Sequence, residues 1–412
     1  MKYGLIGEHL SHSFSGEIHR LLGAPDYELV ELSPETVADF FAKRDFIGVN
    51  VTIPYKETVL PLLDEITSEA AAIGAVNTVL NRGGRLIGHN TDFAGLSALF
   101  DRVGTDPAGK KVLILGTGGT ARTALAVCRA RGAAAVLRVS RSAGPDAVTY
   151  DEAYCAHADA DIVVNATPVG MHPEAENCPL DVSRFPRLSA VIDAVYNPLR
   201  TRLVLAARAR GIPAEGGLYM LAAQGVAAAE LFLGRDFPAD TAEKLHARLL
   251  ADKENIVLTG MPGSGKTTVG RALAAAMHRP FFDTDEEIVK AAGCDVPTLF
   301  KTESEVGFRA RECAVIRHLA PTCGAIIATG GGAVLRDENV TALKQNGRVF
   351  FLDRDPENLT PTGDRPLAAD RAALMARYRE RTDRYRATAD VVTDGNGSAE
   401  QVAERIQKEF YT

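Results

Sequence analysis

Tryptophan is missing from all 412 residues, and no apolar run reaches the roughly 18 residues that a membrane-spanning helix needs. The expectation is therefore a protein that does not interact with membranes. The N-terminal stretch MKYGLIGEHL has no apolar signal core followed by a cleavage site. The six cysteines fall in no CxxC or Cys/His spacing, which predicts reduced thiols in a cytoplasmic protein rather than a disulfide frame or a zinc site. A surplus of basic charge is missing too: the formal net charge is −7, which argues against a nucleic-acid partner. What is present is 46% hydrophobic residues in a chain longer than one hydrophobic core supports. Two or three α/β domains are expected.

The most specific stretch is GMPGSGKT, Gly260 to Thr267. It fits GxxxxGK[ST] and has the flanks that a phosphate-binding loop requires, an apolar strand at Ile256 to Leu258 and an Ala- and Leu-rich helix from Thr268 to Met277. Glycines 260, 263 and 265 let the backbone wrap a polyphosphate, with amide N–H groups and a helix N-terminus facing the negative charge. The motif predicts that Gly263, Ser264, Gly265, Lys266, Thr267 and Thr268 take ATP, that Lys266 reaches the β and γ phosphates and that the Thr267 hydroxyl ligates Mg²⁺.

The first half reads differently. A strand at residues 3 to 6 leads into GEHLSHSFSG, a loop in which Ser13 and Ser15 would point to one side if it is extended; two such serines also serve as turn and cap residues. Ile47 to Ile53 reads as a strand ended by Pro54, with Thr52 and Lys56 at its C-terminal end, where ligands bind in open α/β sheets. GAVNTV and GHNTD then bring Asn77 and Asp92 after further short strands.

A Ser-x-Ser loop, NVTIPYK, AVNT and GHNTD in this order resemble the substrate lobe of the shikimate dehydrogenase family. The resemblance implies that Ser13, Ser15, Thr52, Asn77 and Asp92 hold shikimate and that Lys56 and Asp92 are the catalytic pair. Gly16 stands where family members commonly carry proline. An ammonium is chemically apt here, because reduction of a ring ketone develops negative charge on oxygen that a cation stabilises and protonates.

A dinucleotide-binding unit follows. Lys111 to Leu115 reads as a strand, Gly116, Gly118 and Ala121 match GxGxxG/A with Gly119 and Thr120 between them, a helix runs to Arg131, and a second strand spans Ala135 to Val139. Ser140, Arg141 and Ser142 stand where an NAD enzyme usually shows an acid, and a cation there accommodates a 2′-phosphate, so the predicted cofactor is NADP(H). By the family resemblance Thr167 borders the nicotinamide ribose, Gly217 approaches the nicotinamide, and Tyr196, expected at a strand end, and Gln224 touch the substrate. A last amphipathic helix, Ala239 to Leu250, is expected to return to the first lobe.

In the remaining residues, Asp283 ends a strand and Asp285 follows two residues later, so both carboxylates can face one crevice. Acids are also favoured at a helix N-terminus, the reading preferred for Glu286 and Glu287. Arg309 and Glu312 lie one helical turn apart, Gly330 to Gly332 permit close approach of a ligand ring, Arg365 sits in a Pro- and Gly-containing loop, and Arg381 follows on a helix. This set resembles shikimate kinase, of the nucleoside monophosphate kinase-like fold. The resemblance implies that Asp283 works with Thr267 on Mg²⁺, that Asp285 contacts the attacking hydroxyl, that Arg309 and Arg381 grip the substrate carboxylate beside Gly331, and that Arg365 swings over the phosphates. The run LTPTGDRPLA is short and lacks an extra arginine that many relatives carry.

The expected organisation is α/β throughout: a substrate-binding lobe at 1–98 with a return helix at 226–250, a Rossmann NADP-binding lobe at 99–225, a linker at 251–254, and a P-loop parallel-sheet domain at 255–412. The two resemblances together imply a bifunctional enzyme that reduces 3-dehydroshikimate and phosphorylates the shikimate formed. Two alternatives stay open: a quinate/shikimate dehydrogenase preferring NAD joined to a kinase of other specificity, and a chain in which one half binds its ligand without turnover.

Overall fold

The computed structural model describes residues 2–10, 13–359 and 371–412. The chain folds as two compact units, Met1–Arg248 and Leu249–Thr412.

The first unit opens with β1 (Tyr3–Gly7), α1 (Ser15–Leu21), β2 (Tyr27–Glu31), α2 (Val37–Lys43), β3 (Gly48–Val51), β4 (Glu65–Ile66), α3 (Ser68–Ile73), β5 (Thr78–Arg82), β6 (Arg85–His89) and α4 (Asp92–Val103). Their sheet has the order β2-β1-β3-β5-β6-β4. β5 runs antiparallel to β3 and β6, and the other pairings are parallel. β3 is shorter than the expected 47–53. The loop before α1 is not extended through Ser15, because Ser15 already opens the helix.

The second lobe of this unit contains β7 (Lys111–Leu115), α5 (Gly119–Ala130), β8 (Ala135–Ser140), β9 (Ala147–Thr149), α6 (Tyr150–Ala156), β10 (Ile162–Asn165), β11 (Ala190–Asp193), α7 (Arg202–Ala209), β12 (Ala214–Glu215) and α8 (Leu218–Leu233), and α9 (Thr241–Lys253) runs across the division at Arg248. All six strands are parallel, in the order β12-β11-β10-β7-β8-β9. A parallel sheet is covered on both faces, so its strands read as continuous apolar runs. β7 shows this directly: Val112 and Ile114 enter one core with α4 and α5, while Leu113 and Leu115 enter the other with α6 and α7. β11 stops at Asp193, three residues before Tyr196.

The element that returns to the substrate lobe is α8, which starts at Leu218 rather than 226. Its Ala228 and Phe232 join Leu5, Tyr27 and Leu80 in one core, and the Phe232 ring stacks on Tyr3 at 5.3 Å between centroids. Gly48 permits this docking, since a Cβ there would lie 2.4 Å from Phe232 Cδ1. The expected linker at 251–254 is the last turn of α9 followed by Glu254.

The second unit continues with β13 (Asn255–Thr259), α10 (Lys266–Met277), β14 (Phe281–Asp283), α11 (Thr284–Ala292), α12 (Val296–Leu319), β15 (Ile326–Ala328), α13 (Asp337–Asn346), β16 (Gly347–Asp353), α14 (Arg371–Thr388), β17 (Val391–Asp394) and α15 (Ala399–Tyr411). Its five strands are parallel, ordered β14-β15-β13-β16-β17. β13 is central, with Ile256 and Leu258 facing α10 and α15 and Val257 facing α12 and α13. Ser304 breaks α12 into two helical pieces, at φ 63° and ψ 178°. Among the described residues, no helix is long and apolar enough to cross a membrane.

Gly48→Ala is expected to force Phe232 off the sheet and to lower stability by about 1–3 kcal/mol, read from the chemical-denaturation midpoint. An unchanged midpoint would show that the ring has room to move.

Candidate active sites

The topology of the first sheet gathers one cluster. β3 and β6 run toward the same edge, and β5, being antiparallel, starts there. Lys56 follows β3, Asp92 opens α4 after β6, and Asn77 immediately precedes β5. Asn77 therefore stands before its strand rather than after one as expected, and strand direction alone brings it to the edge. Lys56 Nζ lies 2.5 Å from Asp92 Oδ2, with the side chains 15% and 8% exposed. A charge so far out of water requires its partner. The lysine stem lies beside the dinucleotide loop: a Cβ on Gly119 would sit 3.5 Å from Lys56 Cβ and Cδ.

Behind Asn77 runs a buried chain of hydrogen bonds. The Tyr27 hydroxyl donates to Asn50 Oδ1 (2.7 Å), Asn50 Nδ2 donates to Thr78 Oγ1 (3.0 Å), and the Thr78 hydroxyl donates to Asn77 Oδ1 (3.1 Å). The Thr91 N–H donates to the same Oδ1 at 2.7 Å, while Asn77 Nδ2 donates to Thr91 Oγ1 at 3.0 Å. Since a backbone N–H can only donate, the orientation of the Asn77 amide is fixed. Thr91 Oγ1 also lies 3.4 Å from Gln224 Oε1, and Gln224 Nε2 donates to the Leu221 carbonyl at 3.0 Å. Lys56, Asn77, Asp92 and Gln224 are thus brought together. Asn50, Thr78 and Thr91 were not among the expected site residues; the signal for Thr78 and Thr91 was the Asn-Thr pairing repeated in VNTV and HNTD, and Asn50 had none.

Ser13 Oγ accepts the Ser15 N–H at 3.2 Å, so one of the two serines serves the turn into α1. The Ser13 side chain also hydrogen-bonds Tyr196, whose pKa burial raises against that bond, and the Phe14 and Tyr196 rings lie 5.3 Å apart. Thr52 follows β3 with its N–H bonded to the Ile6 carbonyl at 2.9 Å.

The dinucleotide loop has the backbone its sequence predicts. Gly116 takes φ +107°, and its N–H donates to the Val139 carbonyl at 2.8 Å. Gly118 precedes α5 with nothing within 4 Å of a would-be Cβ, an open cradle at a helix N-terminus that fits a pyrophosphate. Ala121, in the first turn of α5, is fully buried, and Thr120 lies beside it. Arg141 is exposed at the end of β8, and the Ser140 hydroxyl turns back to the Ser142 carbonyl. A Cβ on Gly217 would fall 2.2 Å from the Ala194 carbonyl oxygen, so that position tolerates no side chain. Thr167 donates to Asn165 Oδ1 at 2.7 Å, and Asn165 Nδ2 donates to Asp193 at 2.9 Å. Asp193 also accepts from Val195 N–H (2.9 Å) and from the Thr201 hydroxyl (2.6 Å). Burial nonetheless pushes its carboxyl up to about 7.

In the second unit, Gly260, Gly263 and Gly265 take φ of +146°, +78° and +92°, conformations that favour glycine. Ser264 Oγ is buried with no hydrogen-bond partner among the described residues. Thr268 lies in the first turn of α10, whose N-terminal residue is Lys266. Lys266 Nζ donates to the Gly260 and Met261 carbonyls, each at 2.9 Å. The Thr267 hydroxyl donates to Asp283 Oδ2 at 2.6 Å. Hydroxyl and carboxylate oxygens side by side fit Mg²⁺, which takes few protein ligands and completes its shell with water and phosphate. The other Asp283 oxygen caps α11 through the Asp285 and Glu286 N–H groups at 2.9 and 3.4 Å, so Asp283 serves as the N-cap of α11.

Arg309 donates to both oxygens of Glu312 (3.1 and 2.9 Å) and to Glu305 (3.3 Å). Glu312 is fully buried; burial raises its pKa, Arg309 opposes the rise and Asp285 adds to it. Glycines 330–332 give this cluster room. A Cβ at Gly330 would lie 2.6 Å from Asp285 Oδ1, and one at Gly332 would lie 2.2 Å from Arg309 Nη1. The Gly331 carbonyl accepts from Arg381 Nη1 (3.3 Å) and from the Tyr385 hydroxyl, and Arg381 Nε is buried with no hydrogen-bond partner among the described residues. Asp285, Arg309, Gly331 and Arg381 are thus gathered; Arg365 lies outside the described residues.

Comparison with known proteins finds relatives for both units. The family model for the shikimate dehydrogenase substrate binding domain matches residues 5–79, and that for shikimate kinase matches residues 262–411. The chain is 37% identical over 268 residues to shikimate dehydrogenase (NADP(+)) of Symbiobacterium thermophilum, covering 58% of this chain and 90% of the relative. It is similar to the crystal structure of shikimate 5-dehydrogenase from Thermus thermophilus in complex with NADP(H) and shikimate, with 33% identity, a TM-score of 0.53, and coverage of 60% of this chain and 99% of that one. It is also similar to quinate dehydrogenase from Corynebacterium glutamicum in complex with NAD, with 28% identity, a TM-score of 0.54, and coverage of 61% and 99%.

Asp193 gives a pH test. Its folded pKa lies above the unfolded value near 3.9, so its protonation contributes stability that is fully present below about pH 4 and lost as pH rises through about 7. The scale is about 1.4 kcal/mol for each tenfold difference in proton affinity. Asp193→Asn keeps the acceptor for Val195 and Asn165 without the ionisation. Denaturation between pH 5 and 8 is expected to show the wild type losing stability and the variant holding it; parallel curves would mean that the carboxylate is ionised throughout.

Proposed function

The chain belongs to the shikimate dehydrogenase family and carries a shikimate kinase domain behind that region, and from this premise we propose that it is a bifunctional enzyme of aromatic amino-acid biosynthesis. It reduces 3-dehydroshikimate to shikimate with NADPH and phosphorylates shikimate to shikimate 3-phosphate with ATP and Mg²⁺. The single observation that carries the first activity is the Lys56–Asp92 pair, 2.5 Å apart beside the dinucleotide loop.

NADPH, when bound at Gly116 to Ala121, supplies the hydride. Lys56 stands against the ketone oxygen, stabilises the charge that develops there and delivers the proton that completes the alcohol. Asp92 orients the ammonium and accepts from a substrate hydroxyl. Ser13, Ser15, Thr52, Asn77, Tyr196 and Gln224 hold the ring hydroxyls and carboxylate, Thr167 and Gly217 border the nicotinamide, and Ser140 and Arg141 face the adenosine 2′-phosphate. The buried network behind Asn77 supports this reading, because an amide fixed in one orientation presents a fixed donor pattern to a triol.

In the second unit Lys266 steadies the phosphates within the cradle of Gly263, Ser264, Gly265 and Thr268, and Thr267 and Asp283 hold Mg²⁺, which neutralises phosphate charge. Asp285 takes the proton of the attacking hydroxyl, and Arg309 and Arg381 bind the substrate carboxylate beside Gly331, with Arg365 over the phosphates. The buried Glu312 keeps the Arg309 guanidinium in one geometry.

One other reading has an observation in its favour. Arg141 is exposed and followed by Ala143, Gly144 and Pro145 rather than a second cation, and the chain resembles an NAD-bound quinate dehydrogenase. Comparing kcat/KM for NADP with NAD, and for shikimate with quinate, separates the two.

The deciding experiment supplies the pure protein with 3-dehydroshikimate, NADPH, ATP and Mg²⁺ and follows shikimate 3-phosphate by mass spectrometry; its absence while each substrate is bound would refute turnover. Lys56→Ala is expected to lower NADP-dependent oxidation of shikimate by about 10²- to 10⁴-fold while ATP-dependent phosphorylation continues; loss of both activities in a folded variant would contradict two separate sites. Gly332→Ala, which drives a methyl group into Arg309, is expected to raise the shikimate KM of the phosphorylation about tenfold or more without touching the dehydrogenase. An unchanged KM would remove Arg309 from carboxylate binding.

A further inference from the structure

Arg354 immediately follows β16 and belongs to none of the motifs above. Its backbone and Cβ pack on Gly395 in the turn after β17, and its Nη1 lies 3.4 Å from where a Cβ on Gly265 would stand. Gly265 is the last residue of the phosphate-binding loop before α10. The arginine thus bridges the turn after the edge strand and the loop that receives the nucleotide.

Its electrostatic situation is unusual. Arg354 Nε is buried and has no hydrogen-bond partner among the described residues. Acidic neighbours in sequence and space are engaged elsewhere: Asp353 pairs with Arg386 at 2.7 Å, and Asp394 pairs with Arg405 at 3.3 Å. Asp355 is exposed, its own N–H donating to Asn396 Oδ1 at 3.3 Å. Guanidinium remains charged at any working pH and offers five donors in a fixed fork. Burying one of these donors without an acceptor carries a free-energy cost, and the Nη1 end of the same fork faces Gly265.

We infer that Arg354 is a nucleotide-binding residue of the second unit that donates to phosphate oxygens of the bound nucleoside triphosphate, as a second cation beside Lys266. It stands outside the short run LTPTGDRPLA, which lacks the extra arginine many relatives carry there, and it supplies positive charge from the exit of β16. This inference rests on the kinase reading of the second unit.

The test uses the full-length protein. Arg354→Met keeps the apolar stem and removes the charge, and Arg354→Lys restores the charge without the fork. Binding of ATP and of inorganic tripolyphosphate is measured by calorimetry, with circular-dichroism melts reporting that each variant is folded. Arg354→Met is expected to bind both ligands about 10- to 100-fold more weakly, and Arg354→Lys to recover part of that loss. The ATP KM rises in step, while the shikimate KM at saturating ATP and the dehydrogenase kcat/KM stay at wild-type values. Wild-type affinity of Arg354→Met for ATP would overturn the proposal. Weakened ATP binding with unchanged tripolyphosphate binding would overturn the phosphate contact and assign the guanidinium to the base or ribose. A wild-type protein that binds neither ligand would instead refute the kinase reading itself.

Discussion

A charge held out of water must find its opposite close by, and in this chain that constraint sets one ion pair in each half. Lys56 and Asp92 are nearly buried and 2.5 Å apart, so neither can turn away without leaving the other stranded. The same rule binds Arg309 to the fully buried Glu312. In each case a carboxylate from one helix start or helix face holds the cation in place. Orientation is thus obtained from electrostatics inside the fold before any ligand arrives, which is what a positioned acid or a carboxylate clamp requires.

Close approach is the second recurring device. The two dehydrogenase lobes meet where glycine removes a side chain: Gly48 admits Phe232 of α8, and Gly119 leaves space beside the Lys56 stem. In the second unit Gly330 and Gly332 let Asp285 and Arg309 lie directly on the backbone. These glycines differ from those of the phosphate-binding loop, where positive φ at 260, 263 and 265 makes the requirement conformational. One residue type therefore solves two separate problems, packing space and backbone freedom.

Much of this was legible in the residues. The strand–glycine–helix units at Lys111 and Asn255 announced themselves by continuous apolar runs ending in Gly-rich turns, because parallel strands are buried on both faces. The pairing of Arg309 with Glu312 followed from helical spacing. Other features were not legible for a definable reason. Asn77 lies before its strand, and only the antiparallel course of β5 carries it to the edge where Lys56 waits. The serine pair near residue 15 was divided by the start of α1. The return of the chain to the substrate lobe begins at α8 because Phe232, near the end of a nearly all-apolar helix, finds its partners on β1 and β3. Periodicity cannot assign such a helix to a particular sheet.

The sequence by itself determined the local chemistry: which loops can wrap a phosphate, which strands are buried on both faces, and which lysine, aspartate and arginine residues stand at strand ends or helix starts. Those are properties of short spans, fixed by backbone sterics and apolar patterning. Only the tertiary structure decided which of these groups meet, how the Asn77 amide is turned by Thr78 and Thr91, and that Asp193 is held buried among three donors. Those outcomes depend on strand order, direction and register, set by contacts between residues far apart in the chain, and so no short stretch of sequence contains them.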